Sequence, residues 1–231
     1  MPELIVELRD VTKVFTQGKI EVHALRGLTL SVQAGEFLAI SGPSGSGKST
    51  ALNLIGALDV PTTGQVLLEG RDLSQMSRRD LSHLRRDRIG FVFQAYNLLP
   101  VLTAYENAES VLALQGMAAA DRRTRVLALL DELGLKGMEH RRPSELSGGQ
   151  QQRVAIARAI ASNPAVVLAD EPTANVDSET AEKLLTLMRR LNEERGVTFL
   201  FSTHDPRVMS YARRNVHLTD GRIDRDEEAT G

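Results

Sequence analysis

Gly42-Pro-Ser-Gly-Ser-Gly-Lys-Ser49 is the stretch that decides how this chain folds. Before it, Phe37 to Ser41 is a compact apolar run, and after it Thr50-Ala-Leu-Asn-Leu-Ile-Gly-Ala-Leu58 has helical composition. A strand, a glycine-rich loop and a helix therefore follow in succession, the order a phosphate loop needs. The spacing is G-x-x-x-x-G-K-[ST], in which glycines let successive backbone N–H groups converge on an anion. Ser41, Gly42, Pro43, Ser44, Gly45, Ser46, Gly47 and Thr50 are the candidate cradle. Lys48 is the candidate for the β and γ oxygens, and the Ser49 hydroxyl for Mg²⁺.

Working outward, Leu4 to Phe15 and Leu28 to Gln33 alternate apolar and polar residues, which predicts short half-buried strands in an N-terminal antiparallel β subdomain. A strand pair around Gln65 to Gly70, a basic helix over Ser77 to Arg88 and a strand over Ile89 to Phe93 follow. From Thr103 to Leu133 the chain turns helical, and residues 95–161 are expected to form a helical subdomain inserted into a core made of residues 1–94 and 162–231. Apolar runs return at Ala165 to Ala169, Val197 to Ser202 and Val216 to Thr219, separated by helices at Ser178 to Arg195 and Pro206 to Arg213. Buried strands alternating with helices predict an α/β fold on a mainly parallel sheet, a P-loop nucleotide-triphosphatase core. Asp220-Gly221 reads as a hairpin turn and Asp224 to Gly231 as a loose acidic tail.

The composition excludes several classes. Among 231 residues, 28 Lys plus Arg face 30 Asp plus Glu, a net charge of -2, which argues against a nucleic-acid partner. Cysteine is absent and MPELIVELRD carries acids where a signal peptide needs basic residues, so a reducing, cytoplasmic compartment is expected. No apolar run reaches the roughly 18 to 20 residues of a membrane span, so membrane association is expected to come through a partner.

Two further motifs carry chemistry. Val166-Val-Leu-Ala-Asp170-Glu171 is an apolar strand ending in two carboxylates, at the edge where parallel sheets bind ligands. Beside a phosphate loop, Asp170 is a candidate to hold Mg²⁺ through water and Glu171 to face the attacking water. Leu146-Ser147-Gly148-Gly149-Gln150 precedes a run with an apolar face through Val154, Ala157 and Ile160. Its serine and glycines lie at a helix N-terminus, where free N–H groups attract an anion and where a plain serine cap is the alternative.

With these motifs in place, the chain resembles the nucleotide-binding subunit of an ABC transporter over nearly its whole length. Leu146 to Gln150 reads as the family's signature loop, Gln94 as its Q-loop glutamine, Asn175-Val-Asp177-Ser as its D-loop and His204 as its switch histidine. Taken alone, Gln94 reads as a solvent-facing polar residue and His204 as a turn residue beside a helix cap at Asp205. The resemblance implies ATP and Mg²⁺ as ligands. It implies a head-to-tail homodimer in which Leu146, Ser147, Gly148, Gly149, Gln150 and Asp177 reach the partner's nucleotide. Glu171 would activate water, Gln94 and Ser49 would touch Mg²⁺, and His204 would hold the γ-phosphate. Phe15 matches the aromatic that stacks on adenine, where tyrosine is usual; a buried core phenylalanine is the alternative.

Ile89 to Pro100, Leu102 to Asn107 and Gln150 to Arg158 are similar to the macrolide-exporter and lipoprotein-release branch. That implies an integral-membrane permease as partner, a periplasmic adaptor reached through it, and a peripheral position on the cytoplasmic face of the inner membrane. Ala108-Glu-Ser departs from the branch after Asn107, where Val and then Pro are common, and Ala174 replaces a frequent glycine. The basic stretch with Arg78, Arg79, Arg85, Arg86 and Arg88 reads as a solvated helix face. A soluble ABC-type ATPase without a membrane partner is the competing class. A small-molecule kinase leaves the signature loop and His204 unexplained.

Overall fold

Two sheets divide the work in the computed structural model, which describes residues 3–18 and 20–228. Four strands make the first sheet: β1 (Leu4–Gln17), β2 (Ile20–Gln33), β4 (Thr63–Leu68) and β5 (Arg71–Asp72), antiparallel in the order β2-β1-β4-β5. The second holds β3 (Phe37–Ser41), β6 (Ile89–Phe93), β7 (Val166–Asp170), β8 (Phe199–Thr203), β9 (Arg214–Thr219) and β10 (Arg222–Glu228), in the order β10-β9-β3-β8-β7-β6. Its strands are parallel except for β10, which returns antiparallel on β9. Every residue of β3 and β8 is buried, as a central parallel strand covered on both faces requires.

The helices are α1 (Lys48–Ile55), α2 (Arg78–Arg88), α3 (Ala104–Leu114), α4 (Ala119–Glu132), α5 (Gly148–Ile160), α6 (Ser178–Arg195) and α7 (Pro206–Tyr211). Their starts follow local capping chemistry. Thr103 and Ser147 each form a reciprocal capping box with Glu106 and Gln150, while Asp177 and Asp205 cap α6 and α7. On α5, Val154, Ala157 and Ile160 are buried in a core shared with α3, α4, α6 and the faces of β3, β7 and β8. A second core fills the space between the antiparallel sheet, α1 and the opposite face of the parallel sheet. Phe37 joins strands within the first core, its ring 5.5 Å from Phe199 and 4.7 Å from Phe201.

Three expectations need correction. The entry strands are long, because β2 begins at Ile20 with four exposed residues that are held by pairing to β1 rather than by a buried face. α1 begins at Lys48 rather than Thr50, and α7 ends at Tyr211. Asp224 to Glu228 is not loose: it lies in β10, where Arg214 pairs with Asp226, and residues 229–231 lie outside the described residues. The hairpin turn is where the sequence puts it, Thr219 pairing Arg222 around Asp220 and Gly221, both at positive φ.

The basic helix α2 buries only Leu84. Three of its arginines are nonetheless engaged: Arg85 with the Ala57 carbonyl, Arg86 with Asp87 and Arg88 with Glu69. The Arg88 guanidinium, bonded to Glu69, holds that carboxyl below the usual carboxylate range.

Phe37→Ala should destabilise the chain by about 3–5 kcal/mol, because three packed rings lose their shared member. Urea unfolding followed by circular dichroism measures it, and a loss under about 1 kcal/mol would contradict this packing.

Candidate active site

The parallel ladder sets the site. Ser41 lies opposite Thr203, Ser202 opposite Asp170 and Asp170 opposite Phe93, so β3, β8, β7 and β6 end in register. The residues that follow those ends are Gly42, His204, Glu171 and Gln94. Strands about 4.8 Å apart thus deliver four loops side by side to the carboxyl edge of the sheet.

Above that edge is a cleft of about 780 Å³ lined by Pro43, Ser44, Gly45, Gly47, Lys48, Ser49, Thr50, Gln94, Glu171 and His204, together with Val22, His23 and Ala24 of β2. The loop before α1 needs its glycines. Gly42 and Gly47 have φ of 142° and 104°, and a Cβ would fall 2.2 Å from the Leu218 carbonyl oxygen at Gly42 and 2.5 Å from that of Ala24 at Gly47. Gly47 caps α1 with no side-chain acceptor and the first turn holds no acid, so the N–H groups there are left for an anion in the cleft. Lys48 is buried, its Nζ donating to the carbonyls of Gly42 (2.8 Å) and Pro43 (2.9 Å) inside the curl of the loop.

The acidic strand end meets the loop directly. Ser49 Oγ donates to Asp170 Oδ1 at 3.2 Å. Among the described residues no cluster of three or more His, Cys, Asp or Glu is poised to hold a metal. A hydroxyl and a carboxylate beside a phosphate cradle are hard oxygen donors that suit Mg²⁺ completed by phosphate oxygens. Glu171, at φ 45°, is held by many partners: its N–H donates to the Ser202 carbonyl, and its carboxylate accepts from the Thr203 hydroxyl and the His204 N–H. His204 Nδ1 lies 2.6 Å from Glu171 Oε1, with His204 71% exposed and Glu171 17%.

Not every candidate reaches the cleft. Ser41 and Ser46 are buried; the Ser41 hydroxyl lies 3.1 Å from His217 Nδ1 and the Ser46 hydroxyl has no partner, so both side chains face inward. Phe15 is 42% exposed, which excludes a buried core residue, and Lys13 Nζ sits 4.9 Å from its ring centroid. It stands opposite Val22, a wall residue of the cleft. Leu146, Ser147, Gly148, Gly149, Gln150 and Asp177 line none of the cleft. Ser147 accepts from Gln150 N–H, and Asp177 accepts from Thr180, whose N–H and hydroxyl hold its carboxyl below the usual range. A Cβ would meet Tyr96 at Gly148 and Thr180 at Gly149.

Sequence reasoning missed two supports of the site. Asn175 donates to the Gln94 carbonyl at 2.9 Å and accepts from the Tyr96 hydroxyl at 3.0 Å, tying the loop of Asp177 to that of Gln94. The Gly221 N–H donates to the Ser46 carbonyl at 3.0 Å, so the β9–β10 turn braces the phosphate loop. The Asp-Gly pair signalled the turn, while its contact 175 positions away left no local mark.

The ABC transporter family profile matches residues 25–174. The chain belongs to the ABC transporter family. As an ATP-binding cassette it is 46% identical to an uncharacterised ABC transporter ATP-binding protein of Methanocaldococcus jannaschii, over 98% of both chains. It is 49% identical to the lipoprotein-releasing system ATP-binding protein LolD of Anaeromyxobacter dehalogenans, over 94% of this chain and 92% of that one. It is 46% identical to the macrolide export ATP-binding/permease protein MacB of Marinobacter nauticus, over 99% of this chain but 35% of that longer protein. A solved dimeric cassette, in a post-hydrolysis state bound to ADP and Pi, superposes with a TM-score of 0.90 at 45% identity, covering 98% of this chain and all of that one. The cassette is thus of the MacB and LolD type, and its two-sheet α/β fold is that of the family.

Gly221→Ala should weaken nucleotide binding by about tenfold, since φ 77° and a Cβ 2.6 Å from the Ala24 carbonyl force the brace away from Ser46. Titration with a fluorescent nucleotide checks this, and unchanged affinity would show that the turn does not hold the loop.

Proposed function

We propose that this cassette binds ATP with Mg²⁺ and hydrolyses it as a head-to-tail homodimer that drives an integral-membrane permease of the macrolide-export or lipoprotein-release type. The observation that carries the reading is the register of β3, β8 and β7, which brings Ser49 against Asp170 and Glu171 against His204 beside a glycine loop with free N–H groups.

In this reading the N–H groups of the loop and of α1 bind the β and γ phosphates, and Lys48 leaves its loop carbonyls for phosphate oxygens. Phe15 stacks on adenine, its other face held by the Lys13 ammonium. Ser49 and Gln94 hold the Mg²⁺, with Asp170 behind them through water. The ion supplies charge neutralisation on the phosphate oxygens. Glu171 orients a water and draws its proton as the oxygen attacks the γ-phosphorus, and the bond to the β-phosphate oxygen breaks to release ADP. His204 steadies the γ-phosphate.

The turn from Leu146 to Gln150 lies off its own cleft, which supports its use in trans. There the α5 N-terminus, with Ser147 and Gly149, offers donors to the partner's γ-phosphate, and Asp177 links the two sites. A permease partner is supported by a groove of about 380 Å³ whose apolar wall is Leu58, Phe91, Phe93 and Val111, with Arg85, Arg86 and Arg158 at its side, and by the exposed Leu99, Val101 and Leu114. In this reading the cassette sits on the cytoplasmic face of the inner membrane through that partner; no described helix is long and apolar enough to cross a membrane. A periplasmic adaptor enters only by way of the permease.

Glu171→Gln should reduce turnover by at least about 100-fold while ATP stays bound and locks a dimer. Gel filtration with saturating ATP and Mg²⁺ tests this, and a monomer would refute the head-to-tail arrangement. The locked variant, captured from detergent-solubilised native membranes, should bring a polytopic protein; recovery of cytosolic proteins alone would favour the soluble-ATPase class. Ser147→Arg should abolish hydrolysis yet leave ATP binding by the monomer intact, whereas lost binding would show that Ser147 serves its own cleft.

A further inference from the structure

Gln152 is an amide with no solvent exposure, one turn into α5 from Ser147. Its Nε2 donates to the Pro172 carbonyl at 2.6 Å, while its own Oε1 has no partner. Burying an amide with half its capacity unmet is unfavourable, and an apolar side chain of the same volume would avoid that penalty. The bond it does make falls on the turn after Glu171, closed by the Ala174 N–H donating to the Glu171 carbonyl. Glu171 itself sits at φ 45°, a conformation that a non-glycine residue keeps only when its surroundings hold it there.

The holds on the N–H and carboxylate of Glu171 come from β8 and the residue after it: Ser202, Thr203 and His204. Gln152 is different, because it reaches this turn from the helix whose N-terminus carries the Leu146–Gln150 turn. Resting on the function proposed above, we propose that Gln152 is a positioning residue that ties the turn serving the partner's nucleotide to the carboxylate acting on its own. A shift of α5 when its N-terminus meets a γ-phosphate moves the Gln152 amide, the Pro172 carbonyl follows, and Glu171 is brought to its working orientation. A displacement of about 1 Å at such a carboxylate is enough to change a rate by about 100-fold.

The test is Gln152→Met in the full chain, which keeps length and packing but removes the donor. The kcat for ATP should fall at least about tenfold with KM within about twofold, an effect confined to the chemical step. The melting temperature should stay within a few degrees, and the ATP-locked dimer should still form in the Glu171→Gln background. In that background Gln152→Met should lower the residual turnover no further, since a residue that acts through Glu171 has nothing left to position. If the Met variant does not fold, Gln152→Asn, one methylene too short to reach Pro172, carries the same expectation. An unchanged kcat, or a parallel loss of kcat, nucleotide affinity and melting temperature, would overturn the proposal. A wild-type chain without ATPase activity would instead overturn the function on which it rests.

Discussion

The backbone ladder between β3, β8 and β7 is the constraint on which everything else depends. Parallel pairing fixes Ser41 beside Thr203 and Ser202 beside Asp170, and these bonds are buried on both faces where no water competes for them. A slip of one residue in β7 would turn Asp170 to the other face of the sheet and separate it from Ser49. The same register carries Glu171 to His204, so the meetings of Ser49 with Asp170 and of Glu171 with His204 follow from one set of main-chain bonds.

Around that ladder, the chain treats its helix N-termini in two ways. α3, α5, α6 and α7 are closed by side chains of their own sequence, through Thr103, Ser147, Asp177 and Asp205. α1 begins on a glycine without a side-chain acceptor, as α4 begins on Ala118 without one, but of the two only α1 opens onto the cleft, and its loop is shaped by contacts from Leu218, Ala24 and Gly221. An uncapped N-terminus in a braced cradle favours an anion, whereas α5 is capped by Ser147 and keeps its dipole. That difference fits one terminus serving the chain's own cleft and the other serving a second copy.

Most of the fold was legible because its signals are local. Phe37 to Ser41, Ile89 to Phe93 and Val166 to Asp170 are short buried strands with apolar composition, and Asp220-Gly221 has the chemistry of a two-residue hairpin. The first half of β2 is held by backbone pairing to β1 rather than by a buried face, which no local pattern marks, and the acidic β10 reads as a tail because Asp226 finds its partner in Arg214 on the neighbouring strand. At the site, Lys48, Ser49, Asp170 and Glu171 were legible from motifs whose spacing encodes their chemistry. Asn175, Gly221 and Gln152 were not, since each acts through a backbone contact with a residue far along the chain.

The sequence by itself determined the chemistry on offer: a phosphate cradle, a carboxylate pair at a strand end, and a second glycine turn at a helix start. These are contiguous patterns whose local backbone preferences need no distant partner. Only the tertiary structure decided how they are shared out. It set Ser49 on Asp170 and Glu171 on His204, faced the Ser41 and Ser46 hydroxyls inward, and kept the Leu146–Gln150 turn away from its own cleft. Strand register and the packing of α5 on the sheet depend on contacts between segments tens to hundreds of residues apart, and no window of sequence contains them.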